Sequence, residues 1–320
     1  MKFTKYFDLQ MFANMNTQTT GTSSLSDEMK VYYSDYLIDN AVPKLVHDQF
    51  GQKHPIPKNG GKTIEFRKYS PLPKLLTPLT EGVTPDGQSL TVSTIEATID
   101  QYGGYVTISD MLQLTAIDNN RVQATKLLGN QAGASLDTIT REVLNGGTNV
   151  VYAGGVSGRS ALTAEHKLTV DDIKKAVRAL KNQNAEKIGD SYVAIIHPDV
   201  TYDLTNDPAW QAVKDYDPKD WYEGEIGKIA GVRFVETTEA KIFEGGVYST
   251  LILGDNAYGV TEIEGGGLQH IVKQLGSAGT ADALDQRAPV GWKATKVAER
   301  LVEQFMVRIE SKCSFEGAAN

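Results

Sequence analysis

The sequence predicts a mixed α+β protein in which one long helix accompanies an extended β-hairpin and a separate α/β region. Three observations indicate this fold class. Residues 118–147 carry apolar side chains at helical spacing, and two segments within 63–100 alternate apolar and polar side chains. Residues 151–286 combine helical and strand patterns in turn, which is typical of an α/β core.

Composition and charge indicate a folded protein and argue against some classes of function. The chain has 320 residues with 40% hydrophobic and 22% charged side chains, which suits two folded domains or one elaborated fold. Its net charge of −8 argues against sequence-independent binding of nucleic acid, because such binding needs clustered cations. The charge is equally compatible with a protein that lies near nucleic acid without adhering to it. The single cysteine, Cys313, excludes an internal disulfide and suits a reducing compartment.

The N-terminal region is predicted to be an arm followed by a helix. Residues 1–13 lack a continuous apolar segment, so a signal peptide is not expected, and no segment of the sequence approaches the length of a membrane span. An assembly arm and a segment removed later both remain open for these residues. Residues 14–24 are polar, as in a linker. The apolar spacing over 24–50 predicts a helix that Pro43 kinks or divides.

An extended β-hairpin is predicted next. Segments 63–67 and 95–100 alternate apolar and polar side chains and are expected to be half-buried strands. About twenty residues rich in proline and glycine connect them, which is unusually long for a compact domain. Because an isolated hairpin is barely stable in water, we expect this one to project and to rest on a neighbouring copy. A strand over 105–108 and a short helix, capped by Ser109 and extending to Ile117, follow.

One long helix is predicted over residues 118–147. Asp118 would cap its first turn, and Gly146 would end it in the left-handed conformation. About 26 helical residues at about 1.5 Å each give a rod of roughly 39 Å. Gly129 and Gly133 lie beside the apolar stripe, either as tolerated defects of about 1 kcal/mol each or as a groove for another backbone. The apolar stripe consists of Ala124, Leu128, Ala132, Leu136, Ile139 and Val143.

The α/β region is predicted to follow a loop rich in glycine and serine over 148–165. Thr169 would cap an amphipathic helix, and the uninterrupted apolar segment 192–196 predicts a central strand. Pro198 suits the first position of the next helix. Further strands are expected over 232–235 and 251–253.

The C-terminal region is predicted to return to the long helix. Strand character resumes at Val290, and Phe305, Val307 and Ile309 alternate with polar residues. This alternation predicts a further strand. We expect that strand to join the sheet beside the long helix, so that this domain is discontinuous in sequence.

No motif of the sequence adds up to an active site. Segment 59–63 resembles the end of a phosphate-binding loop, but Ile56 stands where the first glycine is required and a strand pattern follows, so a tight turn is the better interpretation. The five histidines show no metal-ligand spacing. His197, directly before Pro198, is interpreted as a capping or packing residue. Catalytic, cofactor-binding and metal-binding residues are therefore all predicted to be absent.

A family resemblance rests on the order of the elements and on four stretches. These are Asn-Gly-Gly-Lys-Thr-Ile-Glu-Phe-Arg at 59–67, the stretch from Leu-Asp at 136–137 to Leu-Asn-Gly-Gly-Thr at 144–148, Gly-Lys-Ile-Ala-Gly-Val-Arg-Phe-Val at 227–235, and Val-Gly-Trp-Lys at 290–293. Together they resemble the major capsid proteins of tailed bacteriophages, whose shell fold is shared with herpesvirus capsids and encapsulins. The resemblance covers nearly the whole chain from about residue 25.

The resemblance implies a phage major-capsid fold with four parts. It implies a non-enzymatic subunit, without cofactors, that self-assembles into hexamers and pentamers of an icosahedral head shell enclosing the phage DNA genome. Scaffolding, portal and decoration proteins are implied as partners, with packaged DNA nearby, no sequence-specific DNA binding and no membrane. The implied location is the virion, and the host cytoplasm during assembly. The parts are an N-terminal arm and helix over 1–58, an extended hairpin over 59–105, a peripheral domain with the spine helix over 106–150 and 287–320, and an axial α/β domain over 151–286.

Two alternatives remain open. An encapsulin-like shell holding protein cargo shares the implied fold. A soluble α/β enzyme with His197 or Asp199 in a cleft belongs to a different class, and neither residue has an identifiable partner in the sequence. For the shell, the predicted assembly contacts are Ile64, Phe66, Arg67, Lys68, Tyr69, Ile95, Ile99, Gly129 and Gly133.

Overall fold

The described residues form two compact units. The small unit contains the described residues of 1–42, 102–132 and 268–294, and the large unit contains those of 43–101, 133–267 and 295–320. The predicted arm and linker, most of the helix predicted over 24–50, and the predicted cap Asp118 lie outside the described residues. Residues 47–50 form a turn, so the helical prediction is wrong for them. The computed structural model describes residues 17–18, 46–69, 72–79, 81, 82, 84, 86–116, 120–214, 227–264, 266–275, 282–315 and 317–320.

The helices and strands are numbered in chain order. The helices are α1 (Asp110–Thr115), α2 (Asn120–Asn145), α3 (Val170–Asn182), α4 (Pro198–Thr205) and α5 (Pro208–Lys214). The strands are β1 (Thr17–Gln18), β2 (Gln52–Lys53), β3 (Thr63–Tyr69), β4 (Val92–Thr98), β5 (Asp100–Ser109), β6 (Val150–Tyr152), β7 (Tyr192–Ile196), β8 (Lys228–Ile229), β9 (Val232–Glu236), β10 (Ile242–Phe243), β11 (Val247–Leu253), β12 (Tyr258–Thr261), β13 (Gln269–Val272), β14 (Arg287–Arg300) and β15 (Met306–Ser311).

The small unit is built on the pairing of β5 with the first part of β14. β1 lies parallel to β5, and β13 lies antiparallel to β14. Glycine is required where β5 and β14 approach, because a Cβ on Gly103 would lie 2.7 Å from the carbonyl oxygen of Trp292. The prediction of a short helix after this strand is confirmed: the Ser109 hydroxyl accepts a hydrogen bond from the N–H of Leu112 at 3.2 Å and caps α1.

The long helix α2 has 26 residues, as predicted. Its end differs from the prediction, because Gly146 is outside the left-handed region. The Gly146 N–H donates to the carbonyl oxygens of Glu142 and Val143, and the Arg308 guanidinium donates to the carbonyl oxygen of Asn145. Since a distant side chain satisfies a terminal carbonyl group, no left-handed residue is needed to end the helix.

The buried face of α2 is apolar in its first half and polar in its second half. Of the predicted stripe, Leu128, Ala132 and Leu136 are buried, and the other three residues are half-buried. Beyond residue 136 the buried side chains are those of Asp137, Thr140, Arg141, Leu144 and Asn145. The predicted apolar stripe therefore describes the buried face of α2 only in the first half of the helix.

The large unit contains a mixed seven-stranded sheet in the order β6-β15-β11-β7-β9-β8, with β10 paired to β11. All five residues of β7 are buried between β11 and β9, which confirms the predicted central strand. The amphipathic helix α3, capped by Thr169, packs its buried face on this sheet, also as predicted. In the same unit the second part of β14 pairs with β12, and β12 pairs with β2.

One prediction for this sheet is wrong and one is confirmed. The segment predicted as loop over 148–165 contributes β6. The last strand, β15, joins the sheet beside the long helix as predicted: it lies between β6 and β11, and its Arg308 side chain contacts the end of α2. β15 is also buried on both faces, because the side chain of Glu310 is enclosed by the guanidinium groups of Arg159 and Arg308. Its alternating sequence reflects a buried ion-pair network instead of a solvent-exposed face.

Candidate assembly surface

In the part of the chain that the structure describes, β3 and β4 form a hairpin that does not pair with either of the two larger sheets. The strands are antiparallel and in register from Thr63 opposite Thr98 to Tyr69 opposite Val92. Of the residues described, no third strand pairs with either of them. Asn59 and Gly61 have positive φ angles in the turn that leads into β3, as the tight-turn interpretation of this glycine-rich segment predicts. The predicted hairpin is therefore confirmed.

One face of the hairpin is half-buried against its own chain. Ile64 lies opposite Ala97, and Phe66 lies opposite Ile95. Ala97 is buried, and the three larger side chains are half-buried. Three of the predicted assembly contacts, Ile64, Phe66 and Ile95, thus retain some accessible apolar surface.

Of the other four contacts predicted for the hairpin region, three are exposed and one is buried. Arg67, Lys68 and Tyr69 are exposed, and the Arg67 guanidinium donates to Glu65 Oε2 at 3.3 Å, an interaction that raises the pKa of Arg67. Ile99 is only 2% exposed. This residue packs inside its own subunit just before β5 and offers little surface, and its role as a contact with another subunit stays a prediction.

Residues 72–90, called the hairpin tip below, expose five leucines. Leu75, Leu76 and Leu79 are 80%, 86% and 76% exposed, and Leu72 and Leu90 are also more than half exposed. Such a concentration of apolar surface usually marks a binding surface. These leucines are not among the contacts predicted from the sequence, although leucines among the prolines of a long connection are a visible signal.

A cleft of about 580 Å³ opens at the root of the hairpin, inside the large unit. Phe66 lies edge-on to His54, with 5.7 Å between the ring centroids. A Cβ on Gly259 would lie 3.2 Å from the Phe66 ring, so the glycine makes room for this side chain. The residues lining the cleft, called the root cleft below, are Gln52, His54, Pro55, Ile64, Glu65, Phe66, Arg67, Lys68, Ile95, Asn256, Leu301 and Val302.

A buried polar cluster anchors residues 47 and 48 to α2 and β14. His47 Nδ1 lies 2.6 Å from Asp137 Oδ2, and the His47 N–H donates to Asp137 Oδ1 at 2.8 Å. The Thr140 hydroxyl donates to Asp48 Oδ1 at 2.5 Å, and the Lys296 ammonium donates to Asp48 Oδ2 and to a helix carbonyl oxygen. Burial lowers the pKa of Lys296. Each of these side chains has at least one structural partner, although His47 Nε2 is buried without one in the described structure, so the cluster holds elements together.

Lys296→Met is expected to destabilise the protein by about 3 kcal/mol, because the substitution leaves the carboxylate of Asp48 without its cation. The free energy of unfolding in urea measures the effect. Adding Asp48→Asn should restore part of the loss, since no unpaired charge then remains. Lys293→Met changes an exposed residue of the same strand and should stay within about 0.5 kcal/mol of the parent protein. A Lys296→Met variant as stable as the Lys293→Met control would contradict this assignment.

The two glycines of α2 lie in different surroundings. Gly129 is exposed, and a Cβ built on it would have no atom within 4 Å, so no backbone of the described chain approaches it. Gly133 is half-buried. A groove for a neighbouring subunit at these positions stays a prediction.

Gly129→Ala is expected to stabilise the isolated subunit by about 1 kcal/mol, because alanine favours the helix and meets open space. Urea denaturation checks the sign. A less stable variant would show that a close neighbour is present at this position.

The residues of the alternative enzyme hypothesis are engaged in structural contacts. His197 Nδ1 accepts a hydrogen bond from the N–H of Asp199 at 3.2 Å and caps α4, as its capping interpretation predicts. The Tyr248 hydroxyl donates to Asp199 Oδ2 at 2.8 Å. Burial lowers the pKa of His197. Neither residue lines the root cleft.

The described residues also lack two other classes of site. Among them, no group of three or more His, Cys, Asp or Glu side chains is placed to hold a metal ion. Within the same residues, no helix combines the length and the apolar character needed to cross a bilayer.

The family model for phage capsid proteins matches residues 92–293, which is more than half of the chain. The chain belongs to the phage capsid protein family. The resemblance to tailed-phage major capsid proteins is thereby confirmed, and the chain is a capsid shell subunit located in the virion. No curated protein matches this capsid protein.

Solved phage capsids share the fold of this capsid protein. The capsid of cyanophage P-SCSP1u is 14% identical, with a TM-score of 0.68 over 91% of this chain and 95% of that one. The capsid of Ralstonia phage GP4 is 15% identical, with a TM-score of 0.68 over 90% and 96%. The cyanophage Pam1 capsid is 13% identical, with a TM-score of 0.65 over 98% and 100%. The predicted fold class, a mixed α+β phage major-capsid fold, is confirmed.

Proposed function

We propose that this capsid protein assembles into hexamers and pentamers of an icosahedral head shell that encloses the phage DNA genome. In this proposal the hairpin of β3 and β4 clasps the adjacent subunit. The observation that supports it most directly is the hairpin itself, which pairs with no other strand of the described chain and exposes five leucines at its tip.

The low stability of a lone hairpin supports a contact with a neighbouring subunit. A two-stranded hairpin gains too little from its own pairing to persist alone in water. Its inner face is half-buried against the large unit, but the leucines of the tip have no such cover. A contact in which one subunit offers its tip and the next offers a different surface is heterologous, and such contacts close into rings when the rotation allows. Hexamers and pentamers are rings of this kind.

The remaining parts of the proposal follow the division implied by the resemblance. Residues 106–150 and 287–320 would form the peripheral domain, and 151–286 would form the axial domain at the centre of each ring. Because β15 pairs with β11, which belongs to the axial range, we include 306–311 in the axial domain in this proposal. Phage DNA would lie inside the shell without sequence-specific contacts, which suits a chain of net charge −8.

We also propose a purely structural role for the subunit, with assembly inside the host cell and contacts to other head proteins. The subunit would have no enzymatic activity and would assemble in the host cytoplasm. Scaffolding, portal and decoration proteins would contact the shell.

Electron microscopy of the purified protein tests the proposal. Capsomer rings or closed polyhedra are expected, and protein that stays monomeric at all concentrations would contradict it. Extraction of nucleic acid from particles purified from infected cells then separates a genome-containing head from an encapsulin-like compartment with protein cargo. Particles that contain only protein would favour the compartment.

A further inference from the structure

We infer that the root cleft is the socket for the hairpin tip of a second copy of this chain. The inference rests on the proposed function and names the surface that the hairpin contacts. It follows from the shape of the cleft, from its charges and from the direction of the hairpin.

The floor of the root cleft is apolar and open. Ile64, Phe66 and Ile95 form it from the hairpin side, and Leu301 and Val302 form it from the opposite side. All five are half-buried, so each retains surface that another apolar side chain can cover. The volume of about 580 Å³ lies in the range of roughly 300 to 1,000 Å³ that is typical of binding pockets. The exposed leucines of the tip are side chains of the right chemistry for this floor.

The charges of the two surfaces are complementary. The rim of the cleft carries the exposed cations of Arg67 and Lys68. Arg67 is paired with Glu65 at 3.3 Å, whereas Lys68 has no ion pair within the part of the chain that the structure describes. The tip carries two exposed carboxylates, Glu81 and Asp86, and one exposed cation, Lys74, so its described side chains have a net negative charge. A tip seated in the cleft can therefore bring a carboxylate to Lys68.

The direction of the hairpin excludes the tip of the same chain. The cleft is lined by Ile64 to Lys68 of β3, and β3 runs from this root towards its own tip. Seven residues at about 3.3 Å each carry the chain roughly 20 Å along the strand. For the tip to fold back over the root, the antiparallel register from Thr63 to Tyr69 would have to break. The occupant is thus another copy, and each copy uses one tip and one cleft.

Disulfide trapping tests the inference. The native Cys313 is buried, and burial raises the pKa of its thiol to about 12, so introduced cysteines are the reactive ones. The double variant Leu76→Cys/Val302→Cys is assembled and then oxidised. We expect a ladder of covalently linked oligomers on a denaturing gel without reductant. The control Leu76→Cys/Lys187→Cys places the second thiol on an exposed loop outside the cleft and should give no ladder.

The outcomes separate the inference from the proposed function. Normal shells without a ladder would overturn the inference and leave the function standing. A disulfide within a single chain would also overturn it, because the tip would then reach its own cleft. A parent protein that never assembles would overturn the function and the inference together.

Exchanging the charges of Lys68 and Glu81 tests the same contact independently, with the yield of shells as the measured quantity. Lys68→Glu and Glu81→Lys should each lower the yield of shells severalfold, and the combined variant should restore the yield. Circular dichroism of each variant should match the parent, since both positions are exposed. The control Lys187→Glu makes the same charge change away from the cleft and should assemble normally. Equal losses in all three single variants, with no restoration, would contradict the contact.

Discussion

Removal of residues 71–87 is expected to give a folded subunit that forms no closed shells. The deletion joins Ser70 to Gln88, which leaves five residues between β3 and β4. A hairpin loop of that length is common, so the register of the two strands can be kept. The tip, with four of its five leucines and both carboxylates, is lost. Assembly should fail because the subunit then has no group to place on its neighbour.

Electron microscopy and sedimentation measure the loss of shells, and circular dichroism confirms the fold. A variant of full length, with Leu75, Leu76 and Leu79 replaced by Ser, separates apolar contact from loop length. Leu114→Ser is a matched control, because Leu114 is 79% exposed on α1 and lies outside the tip. Normal shells from the deletion variant would show that the hairpin does not clasp a neighbour.

Glu310→Gln is expected to destabilise the subunit by about 3 kcal/mol. Glu310 is fully buried in β15, and its carboxylate accepts hydrogen bonds from Arg159 at 2.7 Å and from Arg308 at 2.9 Å. Burial lowers the pKa of Arg308, which shows how unfavourable an unpaired charge would be there. A neutral amide removes the only negative charge between the two guanidinium groups in the described structure.

Urea denaturation measures this effect, and the result should be a lower midpoint with an unchanged slope. Glu244→Gln is the control, because Glu244 is exposed and the change should stay within about 0.5 kcal/mol. Equal stabilities of the Glu310→Gln variant and the control would show that this network does not hold β15 in the sheet.

Local patterns were sufficient to predict the elements whose environment is set by near neighbours. The length of α2, the central strand β7 and the cap of α3 by Thr169 all depend on spacing or capping within one segment. The strand β15 was predicted, but its burial on both faces was not, because only the structure brings Arg159 to Glu310. The end of α2 was misread for the same reason, since Arg308 lies far away in sequence.

The candidate site was predicted in part. The hairpin was accessible from alternation, but its register and the burial of Ile99 were not. The buried cluster could not be foreseen, because Asp48, Asp137 and Lys296 are separated by tens to hundreds of residues and each is an ordinary charged side chain on its own. The root cleft likewise depends on Leu301 and Val302 meeting β3.

The position of β15 affects when a newly made subunit can fold. Its two neighbours in the sheet, β6 and β11, are both synthesised earlier. β15 pairs with β11 along its whole length and with β6 from Arg308 to Glu310. At about 5 to 20 residues per second, ribosomes need roughly 10 to 30 seconds to pass from residue 153 to residue 311. During that time the sheet lacks an interior strand, and its pairing is long-range and therefore slow to form. A nascent chain is thus unable to complete its core, so translation itself delays assembly until the subunit is whole.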